Sequence, residues 1–411
     1  MSIRFALVLC AFVFVTSCGT GRPALDAIAE GYVRATLKLS QHDPSLVEQW
    51  RGPEAWTPGP RRPVAELQEE IEDLYRQVQV AAADISGVEE HARAAYLTGQ
   101  IGALRFAAGR QLGRASSIDD QTRDEFGVTF PQLDPAAIAR AHDTINQLLP
   151  GAAPLPERVA EFRRSTMIPR ERRLIVLNAA IDACRSAMPP ELPLPHEDHV
   201  NLRFRDGLGW DAFLRYEGNA ASELELNDDA ELDAARAVRL ACHETYPGHH
   251  IQHLLIDRAY GHRYWPELLL APGFGPHLFY LEGAAEVAAD LAIPFEQRLT
   301  LYRERILPPA NIAPNHAVTL ARIDPVFQEL LPVVTDVARL YLDGALTQAQ
   351  AVVRLRSEAL VANPRGTLAF IEQRRARALV YGEGRRAVYE RLQTRDLPGL
   401  YAAFKSAAAL Q

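Results

Sequence analysis

The chain has 411 residues, 48% of them hydrophobic and 23% charged, with 44 Lys and Arg against 52 Asp and Glu for a formal net charge of -8. That composition is globular, and the length suits one large domain or two ordinary ones. The acidic balance argues against nucleic acid and acidic membrane surfaces as partners, because phosphate binding wants a basic face.

In chain order, the first element stands apart from the fold. "MSIRFALVLCAFVFVTSCGTGRPA" places Arg4 before an apolar run from Phe5 to Val15. The run is shorter than the roughly 20 residues of a membrane span and fits the apolar region of a secretory signal. It ends in Val-Thr-Ser-Cys, which resembles a bacterial lipobox. That resemblance implies a lipoprotein signal peptide over 1–17, a lipidated Cys18, and a tether over 18–24 that holds the chain on a membrane. The implied place is the bacterial cell envelope, on the outer membrane and facing the periplasm. Residues 25–411 are expected as a single helical domain. Cys184 and Cys242 are expected as two buried thiols, since nothing in the sequence brings them together.

Apolar spacing of three and four predicts helices near 64–83, 89–111, 135–149, 157–164 and 170–187. Asp134 is a candidate N-cap with Pro135 at the first helical position. "AMPPELPLPHEDHV" breaks the run at 187–200. "VNLRFRD", "AFLRYEG" and "ASELELND" then alternate between turn residues and predict a small sheet at about 200–227. The last of these strands could serve as an edge that pairs with an extended substrate. Asn227-Asp228-Asp229 is expected to cap a long helix ending in "RLACHE", and the pattern stays helical to the C-terminus.

"LACHETYPGHHIQ", Leu240 to Gln252, carries the chemistry. His243 and Glu244 begin like the HExxH helix of a zinc protease, but Pro247 stands where the second histidine belongs. On a straight helix, His249 lies about 120° off the face of His243, and His250 lies about 10 Å further along the axis. Tyr246-Pro247-Gly248 can relieve this by looping out as a bulge. His249 is favoured as the second ligand because Gly248-His249 mimics the end of HExGH, and His250 stays open. In "FYLEGAAEVAAD", Glu282, Glu286 and Asp290 recur every four residues on one side of a helix. Glu282 is the candidate third ligand. Glu286 is a candidate to hold a ligand histidine by its other nitrogen. A Glu-bearing helix some tens of residues after an HE helix is the gluzincin arrangement.

"HETYPGHHIQ" followed by "LEG" resembles the bacterial family catalogued as domain of unknown function 885, whose members carry HExxPGHH and a later EGWA-type segment. The resemblance implies a mainly helical, zinc-peptidase-like protein, often a lipoprotein. His243, Glu244, His249 or His250, and Glu282 match its metal and base positions. Ala284 and Val287 stand where the family has aromatic residues. In "RARALVYGEG" only Ala378, Leu379 and Tyr381 match its C-terminal segment.

The expected protein is mainly α: a multi-helix zincin- or gluzincin-like catalytic domain with a small β-sheet beside the HE helix. It would be a zinc metallopeptidase with one Zn2+ per chain, held by His243, His249 and Glu282 and cleaving short peptides. Glu244 is the expected general base and Tyr381 the candidate oxyanion donor. The alternatives are a non-catalytic envelope lipoprotein that binds metal or peptide, and an amidase acting on cell-wall peptides. His196 and His199 lie in the proline-rich connector and are expected outside the site, whereas His253 is expected beside it. Arg374, Arg375 and Arg377 could clamp a peptide carboxylate, although a solvated helix face is the commoner outcome.

Overall fold

A computed structural model describes residues 21–260 and 265–405. Cys18 and the signal stretch lie outside the described residues. The chain is mainly helical. In order, the first helices are α1 (Gly21–Ser40), α2 (Val64–Ala83), α3 (Val88–Gln111), α4 (Ile118–Phe126), α5 (Pro135–Leu148), α6 (Leu155–Ser165) and α7 (Arg173–Ser186). The middle of the chain holds α8 (Ala234–Glu244), α9 (His249–Tyr260) and α10 (Gly275–Ala292). Then follow α11 (Phe295–Leu301), α12 (Ala317–Gln328), α13 (Leu331–Leu342), α14 (Gln348–Ser357), α15 (Pro364–Arg374), α16 (Val380–Arg391) and α17 (Leu397–Lys405). Helix α1 already runs at Gly21, inside the stretch that the sequence assigns to the tether.

The periodicity that predicts the helices is the periodicity that buries them. In α2, Leu67, Ile71, Leu74, Val78 and Ala81 are the buried residues, at spacings of three and four. Asp134 caps α5 by accepting from the Ala136 N–H at 2.9 Å, with Pro135 in the first position. At α8 the cap is Asp233, which accepts from the Arg236 N–H at 3.0 Å, and not the predicted Asn227–Asp229. The intervening segment stays extended because Leu232 accepts from the Ile168 N–H at 2.9 Å and Asp233 bridges Met167.

The predicted sheet forms from β2 (His199–Arg205), β3 (Ala212–Gly218) and β4 (Ala221–Asn227). Its order is β2-β4-β3, with β2 parallel and β3 antiparallel to β4. β4 is therefore the central strand, and both its edges are taken. That corrects the expectation of a substrate-pairing edge in "ASELELND". A second, two-stranded sheet pairs β1 (Val47–Trp50) with β5 (Leu270–Pro272). Neither strand is long enough to show alternation, so the sequence gives no sign of it.

Cys184 and Cys242 form a disulfide, with Cα atoms 5.3 Å apart. This corrects the expectation of two free thiols. Helices α7 and α8 pack side by side with both cysteines on the shared buried face. That adjacency comes from tertiary packing and leaves no local trace in the chain.

Helix α10 is apolar on nearly all sides, which is the signature of a helix buried all round. Phe279, Gly283, Ala284, Val287 and Ala288 are among its buried residues. It meets α16 at close range through two glycines. A β-carbon added at Gly283 would lie 2.2 Å from the Gly384 carbonyl carbon. Replacing Gly283 with alanine must push the helices apart, and is expected to destabilise the protein by about 1–3 kcal/mol. Denaturant unfolding would reveal it as a lower midpoint with an unchanged slope.

Candidate metal centre

Helix α8 carries the first part of the site. Ala237, Val238, Ala241 and Cys242 are buried along it, and its last turn brings His243 and Glu244 inward, at 7% and 8% exposure. The helix stops there. Pro247 has no N–H to continue the ladder and crowds the preceding turn. The chain passes Tyr246-Pro247 through a cis peptide and opens α9 at His249. The Gly248 N–H reaches back to the Cys242 carbonyl at 3.1 Å. A β-carbon at Gly248 would lie 1.7 Å from the His243 carbonyl oxygen, so glycine alone lets the turn close this tightly. The predicted bulge is thus a complete break between two helices.

The break brings together what a straight helix would separate. The rings of His243 and His249 lie 4.8 Å apart, edge to face. Nε2 of His243 is 3.3 Å from Glu282 Oε2 on α10, and Nε2 of His249 is 3.5 Å from the same oxygen. One donor atom from each of the three residues falls within 4.8 Å of the others. Donors bound at about 2.1 Å around a tetrahedral ion stand roughly 3.4 Å apart, which the two separations to Glu282 match. Glu282 Oε2 is buried and accepts no well-formed hydrogen bond from the described residues, as suits a carboxylate oxygen aimed at an ion. Two imidazoles and a carboxylate are a donor set able to hold zinc, and three protein ligands are the count of a catalytic site.

Each imidazole has a polar neighbour behind it, hydrogen-bonded at His249 and an ion-pair approach at His243. His249 Nδ1 lies 2.9 Å from Gln252 Oε1, and Gln252 donates its amide to the Leu281 carbonyl at 3.0 Å. Gln252 therefore presents its oxygen to Nδ1–H and leaves Nε2 for the cluster. His243 Nδ1 lies 3.1 Å from Glu286 Oε1, one turn along α10 from Glu282. Glu286 is itself gripped by Arg239 of α8 at 3.0 Å. Arg239 also pairs with Asp290 and Asp324, each at 2.9 Å.

His250, the other candidate, faces away. It is wholly buried, with Nε2 at 2.9 Å from Asp198 Oδ1 and Nδ1 at 2.8 Å from Ser222 Oγ on β4. Asp198 also accepts from the Tyr246 hydroxyl at 2.7 Å and pairs with Arg185 at 2.8 Å. Burial alone would raise the Asp198 carboxyl, but His250, Tyr246 and Arg185 outweigh it and hold it low. His196 and His199 are exposed and stand apart from the cluster, although they flank Asp198 in sequence. His253 stacks on Tyr216 at 5.3 Å and is no member of it.

The remaining walls are polar. Burial raises the Glu244 carboxyl above the usual range, against the pull of both histidines. Burial opposes the charged form of His243 and His249, yet the neighbouring carboxylates raise both. Burial would likewise raise Glu282, and the two imidazoles instead hold it well below the carboxylate range. Tyr381, at the start of α16, tilts against His243 with rings 6.3 Å apart. Glu282 first, then burial, raise its hydroxyl well above the usual value, so it stays protonated and able to donate. Sequence reasoning missed Glu48 of β1. Its side chain keeps solvent contact, yet desolvation by the surrounding walls and then the Glu282 charge push it up to about 7. A four-residue strand with no motif gives no signal for it. Asp198 was missed because its partners come from distant elements; Gln252 lies only three residues after His249 on α9, and what fixes its orientation is the Leu281 carbonyl of α10.

No family model matches the chain, and no curated protein matches it. One solved structure that is similar is that of "the putative lipoprotein from Colwellia psychrerythraea", at 16% identity and a TM-score of 0.48, covering 84% of this chain and 68% of that one. Among the described residues, no helix is long and apolar enough to cross a membrane.

Proposed function

We propose that the protein is a zinc-dependent peptidase of gluzincin type, anchored in the cell envelope by a lipid on Cys18 and acting on short peptides. The observation that carries this reading is the convergence of His243, His249 and Glu282, with Nε2–Oε2 separations of 3.3 and 3.5 Å across a helix break. Bound there, zinc would supply Lewis acidity toward a water and a scissile carbonyl. Glu244, next to His243 and held in a desolvated setting, takes the proton of the attacking water and delivers it to the leaving amine. Tyr381 donates its hydroxyl to the oxyanion that develops at the carbonyl. Glu286 and Gln252 fix the tautomers of the two ligand histidines.

The resemblance of "HETYPGHHIQ" and "LEG" to the domain-of-unknown-function 885 family supports the same reading. The Cys184–Cys242 disulfide favours an oxidising compartment, in keeping with an envelope protein.

Elemental analysis of the purified protein, joined to a peptide-library assay, tests the proposal. The expected result is one zinc per chain, with cleavage that stops on chelation and returns when zinc is restored. Stoichiometric zinc without cleavage of any library member would leave a binding lipoprotein instead. Release of stem peptides from purified cell wall, with the library untouched, would identify an amidase.

A further inference from the structure

Helix α1 enters the fold at one end of a three-helix bundle. A β-carbon on Gly31 would meet Leu74 Cδ2 of α2, and Lys38 pairs with Glu70 at 2.7 Å, so α1 and α2 run antiparallel. Asp26 pairs with Arg93 of α3, and the Gln100 amide donates to the Tyr32 hydroxyl at 3.1 Å, so α1 and α3 run parallel. Stepping back along both registers puts Gly21 level with the last turn of α2 and with Val88, the first residue of α3.

That end carries the two most exposed large hydrophobic side chains among the described residues, Val88 at 85% and Val80 at 67%. Between them in the chain, Ala83 is exposed and Ile85 is half-buried. Single exposed apolar residues are ordinary, and what sets these apart is their place. Cys18 stands three residues before Gly21, and three residues span at most about 10 Å. An acylated Cys18 therefore holds this end of the bundle against the bilayer. The end is also braced from within. Arg93 is buried there, pairs with Asp26 and Glu267, and lies over the Trp265 ring at 4.7 Å. A contact made at this end would set the orientation of the helices behind it.

We propose that the α2–α3 turn docks on the lipid bilayer, with Val80 and Val88 seated at the boundary between headgroups and acyl chains. This rests on the Cys18 anchor of the proposed function and is independent of the metal and of peptide cleavage. Asp84, Glu89 and Glu90 flank the valines in sequence, so the contact is apolar and gains nothing from anionic lipid.

The test places a nitroxide at Ser86→Cys, an exposed position in the turn, in the full-length lipidated protein. Cys184 and Cys242 are joined in the disulfide and Cys18 carries the acyl chains, so the label attaches at the new thiol. The protein is reconstituted in vesicles of phosphatidylethanolamine with a varied fraction of phosphatidylglycerol. Collision of the label with a water-soluble nickel chelate is expected to be several-fold lower than in the same protein carrying Val80→Asp and Val88→Asp. Both valines are exposed, so that variant is expected to keep its unfolding midpoint. Equal collision rates in the two proteins overturn the docking, as does protection that appears only with phosphatidylglycerol. Spin–spin broadening that grows with protein density would show a second copy covering the turn, and also overturns it. Mass spectrometry of the N-terminal peptide reads the anchor separately. Acylated Cys18 with an unprotected turn keeps the anchor and removes the docking, whereas Cys18 without acyl chains removes both.

Discussion

Replacing Glu244 with glutamine is expected to lower peptide turnover by roughly 10²–10⁴-fold while zinc content and unfolding midpoint stay close to those of the unaltered protein. Glutamine keeps the shape of the side chain and removes its ability to accept and pass on a proton. Glu244 makes no ion pair or hydrogen bond that the fold needs among the described residues, and it is not one of the three clustered donors. Single-turnover measurements separate this chemical defect from binding. A loss in kcat at unchanged KM points to the proton-transfer step. Activity within a few-fold of the unaltered protein would remove Glu244 as the base. A loss of zinc alongside activity would recast it as part of the metal's surroundings.

Arg239→Met is expected to have the largest effect on stability. Arg239 is 14% exposed and joins three carboxylates that are each 11–12% exposed: Glu286, Asp290 and Asp324. Removing one side of a buried ion pair typically costs about 3–5 kcal/mol, because the charges left behind are neither solvated nor matched. Two other arginines soften the loss. Arg385 pairs with Asp290 at 2.6 Å, and Arg298 lies 3.5 Å from Asp324. Glu286 has no second cation of this kind, so its approach to His243 is what the substitution releases. Denaturant unfolding reads the stability change, and metal titration by calorimetry reads the second consequence as weaker binding. Arg239→Lys keeps the charge but loses the planar fork, and should recover only part of either quantity. An Arg239→Met protein with an unaltered midpoint would show that the carboxylates reach solvent or protonate without penalty.

Much of this architecture is legible in the chain because its causes are local. Helix α2 declares itself by apolar spacing, α5 by Asp134-Pro135, and the three-stranded sheet by alternation between turns. The His243–His249–Glu282 cluster is legible for a different reason. Pro247 and Gly248 mark a place where the helix must fail, and carboxylates at i, i+4 within an otherwise apolar helix point to charges held in the interior. Other features needed the fold. Asp233 takes the cap of α8 because strand-like contacts with Met167 and Ile168 keep the preceding residues extended. The disulfide depends on which faces of α7 and α8 meet. The choice between His249 and His250 turned on Asp198 and Ser222, which come from a connector and a strand with no motif of their own.

The two adjacent histidines of α9 end in opposite walls, and this makes the helix self-indexing. Shifting α9 by one residue in one direction would put His250 in the cleft and Ile251 against Asp198; in the other it would put Gly248 in the cleft and His249 against Asp198. The first leaves Asp198 desolvated beside an apolar neighbour, with the penalty of an unmatched interior charge. The second costs the cleft a donor. If the proposed zinc binds there, it would meet imidazoles already aimed, and little of its binding energy would be spent on ordering the chain.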